Sequence, residues 1–521
     1  MALPEWQSLL PFLRWLPGVD RRSLRRDALA GLGGAILALP QSLAYALIAG
    51  LPAEYGLYAA VVPVMVACLW GSSRLLICGP TAAIAVVLFS SVSPLAEPGS
   101  ERYIALLLLL SLLAGLFQWL LGMLRFGTLV NFVSPSVMLG FTLGAALVIA
   151  IGQGPALLGL ELAGQATALS SLLVLFGHLP QAHGPSLALA GVSLLLMLLL
   201  RRVCSGALAL LFGLLLGSLL CSALPADYGD AIARVAPFDG RLPPFVLPDL
   251  RLDDVLQLLP AAVACGMLGL VTSLSIARAL TLRVGQPFDA NQETCAQGLS
   301  NLVGPWFSAF LSAGSFTRSA LNLSAGACTP LAGLFSALLV ALLTLLGAGW
   351  LTYVPLPVMA AGILLICWNL VDRPAIGALW RGSRTEFTVL LLSTMATLLL
   401  ELQTAIYAGV LASLFFYLKR TAQPQVRRWQ DGDAEVLRIE GSIFFGACPY
   451  IQLLLQGSRA TRVVLDARYV NFIDYAGVQM LRQEAQRLRT QQRCLVLRRA
   501  RPQVLAELVV ADPDCLLQVE S

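Results

Sequence analysis

Charge is what this chain of 521 residues lacks. Only 12% of them are Asp, Glu, Lys or Arg, against roughly 25% in a soluble domain. Hydrophobic residues make up 58% and the mean hydropathy is +0.79, so a fold soluble throughout is excluded. The deficit is uneven: of 34 basic and 29 acidic residues, 13 and 11 fall within 421–521. That shift separates a membrane region, 1–420, from a soluble domain, 421–521. The net charge of +5 is too small to suggest a nucleic-acid surface, and most of the excess sits at helix ends, where it sets orientation.

Histidine is rarer still, with only His178 and His183, both near polar loop sequence; metal binding by them is not expected. Of the eleven cysteines, several lie inside apolar runs (Cys68, Cys78, Cys265, Cys367) and others, such as Cys448, Cys494 and Cys515, in the terminal domain. No spacing among them fits a zinc site or a disulfide framework, and they read as small apolar packing residues. No cofactor is implied, and no nucleophile–base constellation suggests an enzyme. Arg21, Arg22, Arg25 and Arg26 precede a long span without a small-residue cleavage site, which is not the pattern of a cleavable signal.

A spanning helix needs about 20 apolar residues. Such runs fall near 28–50, 54–71, 101–121, 128–151, 186–200, 206–224, 255–277, 290–308, 330–350, 355–371, 385–400 and 403–418. Two further segments, near 80–93 and 315–326, are too short or too interrupted by Gly and Pro to cross alone. Together they make 14. With the N-terminus in the cytoplasm, alternation puts Arg74, Arg125, Arg201, Arg202, Arg278, Arg283, Arg373, Arg381, Arg384, Lys419 and Arg420 inside. The outer loops carry Glu97, Glu161, Asp227, Asp230, Asp239 and Asp249, in keeping with the positive-inside bias. An even count returns the terminal domain to the cytoplasm, where free cysteines stay reduced.

The two interrupted segments fall third and tenth, in corresponding places of two seven-span halves. Ser42-Leu43-Ala44-Tyr45-Ala46 recurs as Ser273-Leu274-Ser275-Ile276-Ala277, and the Gly79-Pro80-Thr81 break as Gly314-Ser315-Phe316. A repeat of odd span number must be inverted, and paired broken helices in inverted halves point to a transporter binding site. Half-helix N-termini present free N–H groups and partial positive charge. If Thr81 and Thr317 open two facing half-helices, their amides form an anion cradle, and the hydroxyls of Thr81, Ser315 and Thr317 add donors. Pro80 suits a first helical turn. Arg318 adds the one full positive charge placed near the membrane centre. A charge at that depth usually faces a cavity or substrate pathway; the competing readings are a snorkelling arginine or one paired with a carboxylate. Gln41 and Tyr45 share a face of the first span, a patch that alone reads as interhelical packing glue. Thr272 matches Gln41 under the repeat, and the span 255–277 holds no ionisable carboxylate.

These residues resemble the SulP family of anion permeases, the group that includes sulfate transporters. The resemblance is carried by Ala38-Leu39-Pro40-Gln41-Ser42-Leu43-Ala44-Tyr45-Ala46, Gly50-Leu51-Pro52 and Tyr55-Gly56-Leu57-Tyr58. Further motifs are Gly71-Ser72-Ser73-Arg74, Gly79-Pro80-Thr81-Ala82, Asn291-Gln292-Glu293, Gly298-Leu299-Ser300-Asn301 and the run from Gly314 to Asn322. The resemblance implies a seven-plus-seven inverted repeat split into core and gate domains, elevator-like alternating access, a homodimer, and a small inorganic anion held between the third and tenth half-helices. By motif position Gln41, Tyr45, Thr81, Ala82, Thr272, Ser315, Phe316, Thr317 and Arg318 would line that site. Many bacterial members carry a glutamate where this chain has Thr272, and sodium-dependent bicarbonate relatives an aspartate where it has Leu268. With both missing, anion exchange or an uncoupled route is expected over proton or sodium symport, although Glu293 near the cytoplasmic end of the ninth span could contribute.

After Lys419-Arg420, Glu435–Ile439, Arg462–Asp466 and Cys494–Leu497 read as strands and Gly477–Thr490 as an amphipathic helix. Val464-Leu465-Asp466 through Phe472-Ile473-Asp474-Tyr475-Ala476-Gly477-Val478 resembles the STAS domain, in which related antagonists phosphorylate a serine just before the glycine. Ala476 stands there, so no phospho-switch is expected, and a regulatory or dimer-supporting module with a protein partner is. The fold expected is an α-helical membrane protein of 14 segments with a small cytoplasmic α/β domain. It would lie in the lipid bilayer of a bacterial inner membrane with both termini cytoplasmic. The expected function is a secondary transporter, sulfate first and bicarbonate second. The alternatives are an anion channel-like protein or a dicarboxylate carrier on the same scaffold, although a dicarboxylate would call for a second cation.

Overall fold

In a computed structural model, residues 10–520 are described apart from 128–134, 161, 163–167, 204–205, 226–231, 235–240, 352, 512–517 and much of 401–420. The expected span 403–418, and Glu161, Asp227, Asp230, Asp239 and Cys515, lie outside or largely outside the described residues. The chain divides into two compact units, Met1–Val410 and Leu411–Ser521, ten residues before the boundary expected from composition.

The first unit is helical, with main helices α1 Arg21–Ile48, α2 Ala53–Ala59, α3 Val62–Trp70, α4 Ala82–Val92, α5 Glu101–Met123, α6 Pro135–Gly152, α7 Ala168–His178, α8 Gly184–Leu200, α9 Gly206–Ser222, α10 Leu252–Val284, α11 Ala290–Val303, α12 Phe316–Ser324, α13 Leu331–Leu351, α14 Leu356–Leu370, α15 Arg373–Gly382 and α16 Arg384–Leu399. Two-residue strands β1 Cys78–Gly79 and β2 Ala313–Gly314 precede α4 and α12. Helix starts follow local chemistry. Asp20 caps α1 by accepting from Ser23 N, while the Ser23 hydroxyl accepts from Asp20 N. A fully buried carboxylate, Asp27, then ties α1 to the start of α13, accepting from Cys328 N at 2.7 Å and from the Thr329 hydroxyl at 2.5 Å.

Each expected segment except 403–418 coincides with a helix or helix pair. Among the described residues six helices are long and apolar enough to cross a membrane, or seven if Leu169–Gln181 and Gly184–Leu200, bent by 116°, form one span. The structure departs from the expected pattern in three places. The run 54–71 is broken at Ala60–Val61, where Pro63 at the start of α3 cannot donate an amide to the preceding turn. Helix α7 is an extra apolar helix, too short to cross at about 1.5 Å per residue. Helix α10 runs well beyond 255–277 at both ends. The heavier packing falls into two groups, α1–α5 with α10–α13, and α6, α8, α9, α14 and α16. They meet where α1 touches α9 and α14 and where α4 touches α6.

The second unit is an α/β sheet. Strands β3 Gln425–Asp431 and β4 Ala434–Ile443 form a hairpin turned at Gly432, whose φ is +61°. Strands β5 Arg462–Asp466, β7 Cys494–Arg498 and β8 Gln518–Glu520 follow in parallel order β4-β5-β7-β8, and β6 Val470–Ile473 pairs with the far end of β4. Parallel neighbours require crossovers; α17 Cys448–Gln456, α18 Tyr475–Thr490 and α19 Pro502–Ala511 lie in those connections. The expected strands and amphipathic helix are all present, while β3, β6 and β8 are additional. Asp474 caps α18 by accepting from Gly477 N at 2.7 Å. A side chain at Gly477 would meet Ile443 O at 2.6 Å, so the backbone approach demands glycine there.

Candidate functional site

Helices α4 and α12 have 11 and 9 residues, about 16 and 14 Å at 1.5 Å per residue. Each therefore reaches about halfway through a hydrocarbon core near 30 Å thick. Their N-termini are brought together because β1 and β2 pair antiparallel, Cys78 with Gly314 and Gly79 with Ala313. Ser315 N donates to Ile77 O at 2.9 Å and extends the pairing by one bond.

Capping is unusual at both helices. Thr81 and Ser315 occupy the N-cap positions in extended conformation, yet neither side chain caps a backbone amide of its helix. A Ser or Thr in that place normally accepts from the second or third helical amide. The intrahelical bonds begin with Ala85 N to Thr81 O and Ser319 N to Ser315 O. The first three amides of each helix, at Ala82–Ile84 and Phe316–Arg318, thus have no intrahelical acceptor. The Ser315 and Thr317 hydroxyls lie 3.3 Å apart. Thr317 and Phe316 are exposed, Phe316 by 60%, while Ala82 is buried.

Arg318 is 2% exposed and is the only buried cationic side chain among the described residues. Its Nη2 donates to Pro80 O at 3.0 Å, its Nε has no partner, and no carboxylate among the described residues pairs with it. The Nη1–Nη2 edge of the guanidinium abuts Gly79, where a Cβ would sit 2.5 Å from Nη2 and 2.7 Å from Nη1. Arg318 therefore clasps the loop before α4, which brings its charge from the first turn of α12 to the residues that lead into α4. Tyr45 is buried on α1, near enough to interact electrostatically with Arg318. One turn earlier, Gln41 Oε1 and the Ser42 hydroxyl are buried without a partner. Thr272 is half-buried, and its hydroxyl is turned back onto its own helix, donating to Leu268 O at 2.8 Å.

Several residues outside the expected set hold this geometry. Ser273 Oγ accepts from Gly314 N and donates to Gly269 O, both at 2.7 Å. Asn301 accepts from Ser312 N at 2.8 Å and donates to Gln118 Oε1 at 2.8 Å. Ile77 N donates to the Ser319 hydroxyl at 2.9 Å. Polar residues inside apolar spans were the available signal for this scaffold. Glu293 is buried, with Oε2 accepting from Ser72 N and Ser73 N at 2.8 Å each. It anchors the loop that leads into β1.

The arrangement suits a small anion: two sets of amides, a fixed guanidinium and, among the described residues, no competing carboxylate. The sequence profile described as the sulfate permease family matches residues 24–393, and that of the STAS domain residues 425–520. The sodium-independent sulfate anion transporter of Bos taurus is 31% identical, over 91% of this chain and 83% of that protein. The murine Solute Carrier 26 family member A9 anion transporter in the inward-facing state superposes with a TM-score of 0.88 at 20% identity, covering 100% of this chain and 94% of that one. The transmembrane domain of the cyanobacterial bicarbonate transporter BicA gives 0.65 at 24% identity, covering 76% and 98%. The chain belongs to the sulfate permease family: it is a multi-pass membrane anion transporter with a C-terminal STAS domain, and not an enzyme.

Proposed function

We propose that this sulfate permease family member is a secondary carrier of small inorganic anions, with sulfate the first substrate and bicarbonate the second. The observation that carries the reading is the β1–β2 pairing, which brings two uncapped half-helix N-termini together beside Arg318. Amides and a guanidinium fixed in advance lower the cost of removing an anion from water. The bovine relative's name favours sulfate, and the cyanobacterial neighbour's favours bicarbonate. A dicarboxylate would call for a second cation, and Arg318 is the only buried one among the described residues.

The site residues in this reading are the amides and side chains of Thr81, Ala82, Ser315, Phe316 and Thr317, with Arg318, Gln41, Tyr45 and Thr272 beside them. Residues 1–420, as two inverted seven-segment repeats, carry the anion by elevator-type motion of one helix group against the other. The carrier is a homodimer in a bacterial inner membrane with cytoplasmic termini, and residues 421–521 are its regulatory module. Exchange or uncoupled transport follows from Thr272, which offers no proton-carrying carboxylate, and from the engagement of Glu293 by two amides.

Uptake of labelled sulfate, bicarbonate and succinate into reconstituted vesicles tests this reading. Sulfate uptake is expected to rise with unlabelled anion inside and to ignore an imposed inward proton or sodium gradient. Strong stimulation by the proton gradient would overturn the uncoupled reading, and preference for succinate the substrate assignment.

A further inference from the structure

The seam between the two helix groups holds a cavity of about 50 Å³. On one side it is lined by Leu39, Pro40 and Leu43 of α1, and on the other by Leu214 and Leu215 of α9 and Met359 of α14. Water needs only about 10–15 Å³ but also two to four polar partners, and every residue lining this cavity is apolar. The space is too large to be ordinary packing slack in an interior at close-packed density, and a group that fills it must be apolar.

Leu215 is 53% exposed, and Leu216, Leu219 and Leu220 on the same apolar helix are exposed beside it. The cavity wall is thus continuous with a surface whose solvent is lipid. We infer that the cavity is a binding site for the end of a phospholipid acyl chain, the terminal methyl and adjoining methylenes entering past Leu215. The chain end fills a space whose lining would otherwise lack contacts on one side, and so stabilises the arrangement in which α1 lies against α9 and α14. Pro40 directly precedes Gln41. The consequence that chain occupancy slows movement of α1 rests on the carrier reading proposed for the site, whereas occupancy itself does not.

The test uses the full chain in phosphatidylcholine vesicles doped with a phosphatidylcholine bearing a diazirine at the acyl terminus. Irradiation is followed by peptide mapping. Adducts on Leu39–Leu43 and Leu214–Leu215 are expected to exceed those at Leu219 and Leu220 several-fold. They should disappear in Leu214→Trp or, if that variant misfolds, in Ala53→Leu, another residue of the cavity wall, with the Leu219 adducts retained. Adducts no denser at the seam than at Leu219, or unchanged in a folded filled variant, would overturn the site. No transport is measured, so failure here is distinct from failure of the carrier reading.

Discussion

Replacing Gly79 with alanine perturbs the candidate site at its tightest point. Gly79 has a φ of +143°, a conformation costing a non-glycine residue about 1–3 kcal/mol. The new Cβ would also lie 2.5, 2.7 and 3.0 Å from Nη2, Nη1 and Cζ of Arg318, inside van der Waals contact, so the guanidinium must move. Moving it breaks the hydrogen bond to Pro80 O, a charge-assisted bond of about 1.5–3 kcal/mol. The backbone strain falls on folding, while the displaced charge falls on the anion. A charge-assisted interaction of the anion with the guanidinium is worth a similar amount, about 1.5–3 kcal/mol. Its loss, at about 1.4 kcal/mol per decade, should lower anion affinity roughly 10- to 150-fold. Equilibrium binding of labelled sulfate to the purified protein measures this, with circular dichroism and elution volume checking the fold. Gly191→Ala is the control, since nothing lies within 4 Å of a Cβ there, and it should bind normally. Wild-type affinity in folded Gly79→Ala would refute the link between Gly79, Arg318 and the anion.

Other perturbations reach the site and the soluble unit separately. Arg318→Ala should lose at least as much affinity as Gly79→Ala, and Arg318→Lys, which keeps the charge without the planar fork, should fall between it and wild type in the same binding assay. Ser273→Ala leaves the buried Gly314 amide without its acceptor, a loss of about 1–3 kcal/mol; weaker sulfate binding with retained fold is expected, and unchanged binding would separate β2 from the site. In the soluble unit, burial tends to raise the Glu484 carboxyl, but hydrogen bonds from Gln452, Arg487 and Gln456 outweigh it and hold it below its ordinary value. A lowered folded pKa gives stability that is present above the ordinary carboxylate value and is lost as pH falls through the folded one. Hydrogen-exchange protection factors of α17 and α18, which correct for slower intrinsic exchange in acid, should therefore fall with pH in the wild type, and Glu484→Gln should flatten that dependence.

The breaks at Gly79-Pro80-Thr81 and Gly314-Ser315 were legible in the sequence because glycine and proline interrupt apolar runs too short to span. Their antiparallel pairing was not legible, since strands of two residues leave no period to read. The sequence set Arg318 apart as a charge at depth, but its partner is a main-chain carbonyl, and no residue pattern encodes which carbonyl a guanidinium will meet. For the same reason the repeat that contains Ser273 and the motif that contains Asn301 do not tell that these side chains hold Gly314 N and Ser312 N. The hydropathy that located 54–71 averages over a whole span, so it could not reveal a break that the single residue Pro63 makes at Ala60–Val61.

The most direct test of the account is to locate the anion. In crystals grown with selenate, a sulfate analogue with an anomalous signal, a peak is expected within hydrogen-bonding distance of amides from both Ala82–Ile84 and Phe316–Arg318. A selenate bound elsewhere in the membrane unit, or touching only one of the two half-helices, would contradict it.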